Sequence, residues 1–303
     1  MIRSLAAELH RMWSRRLPRV IGALIVVAML VGATITLVQS NRDMGVLQRQ
    51  AAFERRQTIQ SCVSGEFDPP GQNTKPANRQ RRCERIIGEY EVPDPRFRYV
   101  DLKPILLGTS PLLAILCLLF GASFVGAEWQ KGTMTTALTW EPRRVRLLTT
   151  KFAAVVLVGA AFVLLVHILL AVVMGVVAVL AGITKGVDGT WIRETAGVSI
   201  RIAALGSITA VVGCAIATVG RNTTAALGVA FVYFAVLEGL IRGLRPKWQP
   251  WLLGDNAIQF ISGQTSGGPI PDKTTLEVAL TLFLYAAVSV AGATAFFNRR
   301  DIT

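Results

Sequence analysis

Apolar residues fall into six long runs, separated by polar stretches of very different length. The first run, residues 20–38, is close to the roughly 20 residues that a helix needs to cross a bilayer. The others are Ile105–Ala127, Phe152–Ile183, Ala196–Val219, Thr223–Ile241 and Leu276–Phe297. This pattern predicts an all-α polytopic membrane protein with six transmembrane helices. The third run is too long for a perpendicular crossing, so it tilts or continues past the bilayer as helix. Pro111, in the outer part of the second run, is a site for a kink. Bilayer helices tolerate a kink where neighbours satisfy the freed carbonyl.

The polar stretches give orientation. In residues 2–19, Leu5, Leu9, Met12 and Trp13 share one helical face, with Leu17 near it. Arg3, His10, Arg11, Arg15 and Arg16 fall mostly elsewhere, as in an amphipathic helix lying in the interface. The basic residues followed by an apolar run look like a signal peptide, but no small-residue cleavage site follows, so we expect the segment to be retained. Short loops rich in Arg and Lys stay inside, which places residues 128–151 and both termini in the cytoplasm. The Arg-rich segment from Gln39 to Lys103 exceeds the length over which that rule holds, and its acids offset much of its charge. It is expected outside, with helices over Met44–Cys62 and Arg79–Tyr90 and turns at Asp68-Pro-Pro-Gly and Val92-Pro-Asp-Pro. The expected domains are therefore 1–19, a cytoplasmic interfacial helix, and 20–303, the six-span domain including the external loop 39–104. A second external segment, Arg242–Thr274, is expected to re-enter partly or to lie on the outer interface. All six tryptophans lie at predicted span ends or in loops, as aromatic belts at the headgroups require.

Composition agrees. The chain is 52% hydrophobic and 17% charged with mean hydropathy +0.47, well below the quarter or so of charged residues usual in soluble domains. The net charge of +13 raises nucleic acid as a partner, but the basic residues sit at span ends and in loops without a recognition motif. Topology accounts for them better, so no nucleic acid is expected. No metal-ligand cluster, catalytic triad motif or phosphate-binding loop occurs; Gly268-PIPD-Lys273-Thr274 lacks the glycine before its lysine. No catalytic residue, metal site or cofactor is therefore assigned to this chain.

Within the fourth run, Ser199, Ala203, Gly206, Ala210, Gly213, Ala217 and Gly220 recur by four and three. Such a small-residue stripe lets helix backbones approach closely. His167, Arg201 and Glu238 are ionisable residues inside spans and thus functional candidates. His167 is either a transport residue or a neutral histidine bonded to a neighbouring helix. Arg201 and Glu238 lie at similar depth on consecutive spans and can pair; alternatively, Arg201 snorkels to the headgroups alone. Cys117 and Cys214 fall in spans. Cys62 and Cys83 share the external loop, where thiols oxidise, and are expected to form a disulfide.

Everything can be placed around residues 121–151. There Glu128 closes a span, Gly132 and Thr133 follow, then Leu138, then Pro142, Arg143 and Arg144, and Lys151 opens the next span. Together with six spans and the ending Phe296-Phe297-Asn298-Arg299-Arg300-Asp301, this resembles permeases of the type-two ABC export family, over the whole chain except the large loop. The resemblance implies an ATPase-coupling role for Glu128, Gly132, Thr133, Leu138, Pro142, Arg143, Arg144 and Lys151. It also implies a second permease copy or related permease, and separate cytoplasmic ATPase subunits that carry ATP and magnesium. In such permeases the N-terminal helix touches the ATPase; a simple positive anchor is the other reading of residues 2–19. The expected location is the cell membrane. The alternative function is a non-transporting membrane sensor or assembly factor whose external loop binds a ligand or partner.

Overall fold

The computed structural model describes residues 7–8, 16–40, 44–64, 80–84, 94, 96–263 and 273–299. All six apolar runs are helical and long enough to cross a membrane: Pro18–Ser40, Tyr99–Gln130, Arg144–Ala181, Gly189–Gly220, Thr223–Leu244 and Thr275–Arg299. We label the helices α1 (Arg16–Ser40), α2 (Met44–Ser64), α3 (Leu102–Gln130), α4 (Thr133–Trp140), α5 (Arg144–Ala181) and α6 (Gly189–Gly220). There follow α7 (Thr223–Phe231), a π-helical segment (Val232–Leu237), α8 (Glu238–Leu244), α9 (Leu253–Ser262) and α10 (Thr275–Arg299). The described residues contain no strand beyond one isolated bridge, Arg98 with Ile183. The chain is an all-α polytopic membrane protein. Most of the N-terminal segment 2–19, the two Pro-containing turns of the external loop and the end of its second helix lie outside the described residues.

Over the long third run the helix extends beyond the apolar stretch at its N-terminal end. Helix α5 begins at Arg144, before the apolar stretch, and at 38 residues is about 57 Å long, against a hydrocarbon core of roughly 30 Å. At Pro111 the missing N–H frees the carbonyl of Leu107, one turn earlier. The hydroxyl of Ser110, itself buried, donates to that oxygen at 2.7 Å, so the span keeps its backbone satisfied from within.

The chain divides into two compact units. One comprises residues 30–99 and 174–185. In it, α2 and residues 80–84 are joined by a disulfide between Cys62 and Cys83, whose Cα atoms are 6.0 Å apart. Residues 97–99 are tied to Ile183 by two backbone bonds, Ile183 N–H to the Phe97 carbonyl (2.8 Å) and Tyr99 N–H to the Ile183 carbonyl (2.9 Å). Gly182 makes this approach possible, since a Cβ there would lie 2.4 Å from the Phe97 oxygen. Arg96 donates to both carboxylate oxygens of Asp94, which holds that carboxyl below its usual range.

The other unit comprises residues 1–29, 100–173 and 186–303, and its centre is α3 packed on α6. Small residues set that contact. A Cβ on Gly121 would fall 1.9 Å from the Ala210 carbonyl oxygen, and one on Gly213 would fall 2.2 Å from that of Leu118. Helix α6 thereby becomes the most enclosed span, with α10 on another part of its surface. Residues 246–262 fold over one end of the bundle as a 3₁₀ turn, Pro246–Trp251, followed by α9, which packs on α6 and α10. Asn256 and Gln259 are buried there and bonded: Asn256 donates to the Leu252 carbonyl at 2.7 Å, Gln259 to that of Lys273 at 3.1 Å. The Lys273 ammonium meets the Pro250 carbonyl, and partial burial pulls its pKa below that of a free lysine.

Candidate coupling site

The stretch between α3 and α5 is short and sharply bent at both ends. Gly132 takes φ 68°, a left-handed conformation that a side chain would strain, and it separates α3 from α4. Pro142 and its neighbours separate α4 from α5, because a proline cannot continue the preceding helix. Helix α4 is thus an eight-residue rod with its own direction. Met134 fastens it, being 1% exposed; Leu138 is half-buried, and Gly132, Thr133, Thr135 and Thr136 are exposed.

At the root of this bend lies a buried ionic cluster. Lys151, in the second turn of α5, is fully buried and sits 2.7 Å from Oε2 of Glu128 in the last turn of α3. Its ammonium also donates to Oε1 of Glu8 at 3.0 Å and lies 5.0 Å from the centre of the Phe124 ring. Two carboxylates and one ammonium thus join three chain segments. Charges removed from water persist only when paired and hydrogen-bonded, so this cluster fixes the end of one span to the start of the next.

Around it the basic residues are occupied differently. Arg144 donates to the carbonyls of Phe297 and Asn298 at 3.4 Å each, at the C-terminal end of α10, where a helix favours a cation. Arg146 lies 3.8 Å from Glu141, and Arg143 is exposed. Arg221, itself at φ 52°, places its guanidinium 4.8 Å from the Trp129 ring, which packs edge-on to Phe297. Gln130 donates to Asn222 at 2.8 Å, the residue that caps α7. A Cβ on Gly126 would strike Thr223, so this glycine admits the start of the fifth span.

Of the eight residues grouped with this loop, two, Glu128 and Lys151, are inside the fold and touch each other; Thr133 and Leu138 belong to α4, and the remaining four flank it. Of the small-residue stripe, Ala203, Gly206, Ala210, Gly213 and Ala217 are buried, whereas Gly220 is exposed at the helix end. His167 is buried on α5. Glu238 is buried too, but its partners are Arg242 at 3.2 Å and the Gly254 N–H at 2.7 Å; no bond joins it to Arg201. Arg201 instead lies against Gly263, where a Cβ would come 2.1 Å from its Nη1. Sequence reasoning missed Glu8, Met134, Gly121, Gly126 and the π-helical segment. Gly121 and Gly126 carried a readable signal, as small residues in an otherwise bulky apolar run.

The family model described as "ABC-2 family transporter protein" matches residues 13–302, so the match runs through the large loop as well as the spans. A search of curated proteins finds no match to the chain.

Proposed function

Because the chain belongs to the ABC-2 transporter family, we propose that it is the permease subunit of an ATP-driven exporter. It would act as a dimer with a second copy or a related permease, served by two separate ATPase subunits that hold ATP and magnesium. The membrane would be the cell membrane, with both termini and α4 in the cytoplasm and residues 39–104 outside, as the basic residues around the α3–α5 bend support.

One observation carries this reading. A short rod, α4, with one exposed, threonine-bearing face, lies between two bends whose root is tied by Lys151 and Glu128. A partner that docks on α4 and moves when ATP binds would therefore displace the second and third spans together. The partner's contact would centre on the exposed threonines and on Leu138, with Arg143 beside them. ATP binding and hydrolysis on the partner would supply the energy. This chain's residues transmit the movement into the bundle and hold the spans in register.

The test is Leu138→Asp. In membranes co-expressing an ABC ATPase, should one be encoded beside this chain, the variant should insert normally and keep its melting temperature, yet fail to retain the ATPase on purification. Normal ATPase retention by the variant would remove the assigned contact. Absence of any such ATPase would favour the sensor reading.

A further inference from the structure

Helix α9 begins without a cap of its own. Leu252 stands at its N-cap position and offers no side-chain acceptor to the unpaired N–H groups of the first turn. Two residues of the fifth span supply what is missing. The Tyr233 hydroxyl, in the π-helical segment, accepts from the Leu253 N–H at 3.1 Å, and Oε1 of Glu238 accepts from the Gly254 N–H at 2.7 Å. The helix dipole favours a carboxylate at this end, and its bond to an N–H is stronger than a neutral one. Gly254 permits the approach, because a Cβ there would lie 2.5 Å from Oε2 of Glu238. Arg242 joins the same group, bonded to Glu238 at 3.2 Å and to Asp255, the next residue of α9, at 2.8 Å.

The other side of this segment is held from the sixth span. The Tyr285 hydroxyl of α10 donates to the Trp251 carbonyl, the Lys273 ammonium to that of Pro250, and Gln259 to that of Lys273. Asn256 donates to the carbonyls of Pro250 and Leu252, so residues 250–256 form one tied turn. That turn stands at an apolar cavity of about 170 Å³ between the fourth, fifth and sixth spans. Tyr233, Leu253 and Tyr285 are part of its wall, together with Thr209 of α6, which is buried.

We propose that residues 250–256 are a hinged lid over this cavity, pivoting on the bonds to residues 273 and 285 and latched by Glu238 and Tyr233. The asymmetry of the attachments carries this. Helix α9 packs on α6 and α10, whereas the fifth span holds its start through side-chain bonds that can break without unpacking a helix. The latch residues lie in and directly after the π-helical segment, and such segments are frequent at functional positions. Neither lid nor latch depends on transport or on an ATPase.

Thr209→Cys, in the full chain reconstituted in lipid nanodiscs and treated with a charged, membrane-impermeant thiol reagent, reads whether the cavity is open. With the latch intact this position should label slowly. Glu238→Ala should raise the labelling rate about tenfold and Tyr233→Phe about threefold, as loss of a charged and of a neutral hydrogen bond requires. Gly254→Ala, which wedges the latch apart without removing a charge, should match Glu238→Ala and replaces it should that variant not fold. Gly239→Ala, where a Cβ meets nothing within 4 Å, should label like the parent. Peptide mass spectrometry locates the label, so the buried Cys117 and Cys214 report in the same samples whether the bundle itself has loosened. Unchanged labelling at position 209 in both Glu238→Ala and Gly254→Ala overturns the lid. Labelling of Cys117 and Cys214 in step with position 209 would show that these residues hold the bundle together, which also overturns it.

Discussion

Lys151 is a long, cationic side chain with no exposed surface, and it lies within 3.0 Å of two carboxylates from distant parts of the chain. One ammonium faces both acids. Removing the lysine would take a close partner from each of them, whereas removing one acid leaves the lysine paired with the other. Lys151→Met should therefore be the most damaging of three substitutions, by about 3–5 kcal/mol, the usual cost of breaking a buried pair from one side. Glu128→Gln should cost less and Glu8→Gln least. Thermal melting in detergent reads this order directly, and a Lys151→Met protein that melts like the wild type would show that the cluster does not hold the spans. It follows that a charge change at Glu128 acts on folding as well as on any docked partner, which makes Leu138 the cleaner probe of coupling. Glu128 and Lys151 were legible as landmarks because they bound adjacent apolar runs. Glu8 was not, since nothing local shows that the one acid of an amphipathic segment will turn inward.

At the scale of helices, the α3–α6 contact rests on backbone meeting backbone. The stripe on α6 could be read because its small residues recur by four and three over the whole span. Its partner was legible only as isolated small residues, because α3 shows no comparable register and Gly121 supplies the reciprocal gap. Likewise the π-helical segment had no sequence signal, since an extra residue per turn does not disturb a run that is apolar on every side. That segment is followed by Glu238, bonded to Gly254, and it contains Tyr233, whose hydroxyl accepts from the Leu253 N–H at 3.1 Å. The glycines give a graded test. At Gly121 and Gly213 a methyl group would meet main-chain carbonyls within 2.2 Å, and a carbonyl cannot rotate away as a side chain can. Alanine at either position should cost about 1–3 kcal/mol, the usual range for overpacking, and Gly213→Leu more. Gly159→Ala should be nearly neutral, because its nearest neighbour would be 3.4 Å away. Equal melting temperatures for all four variants would mean that α3 and α6 are not held at this distance in the membrane.

For the whole molecule, the span count and the helical class were legible because hydrocarbon forces long apolar helices and leaves few alternatives. The folding of the polar segments was less so. The helix of residues 253–262 buries Asn256 and Gln259, which composition alone marks as surface residues. Orientation remains the widest inference, and the pair Cys62–Cys83 tests it. A disulfide closes 21 residues of chain between α2 and the short helix at 80–84, in a segment too polar to build much core of its own. In the chain-entropy model such a closure contributes about 3 kcal/mol to that segment. The bond persists only in an oxidising compartment, so it should be present if residues 39–104 face outward. The protein, purified from membranes without reductant and alkylated, should show Cys62 and Cys83 linked in a single peptide pair by mass spectrometry. Cys62→Ser should leave Cys83 open to alkylation and make the loop more sensitive to protease, with the melting of the transmembrane helices unchanged. Alkylation of both cysteines in the unreduced wild type would place this loop in a reducing compartment, and the orientation of all six spans would then have to be reversed.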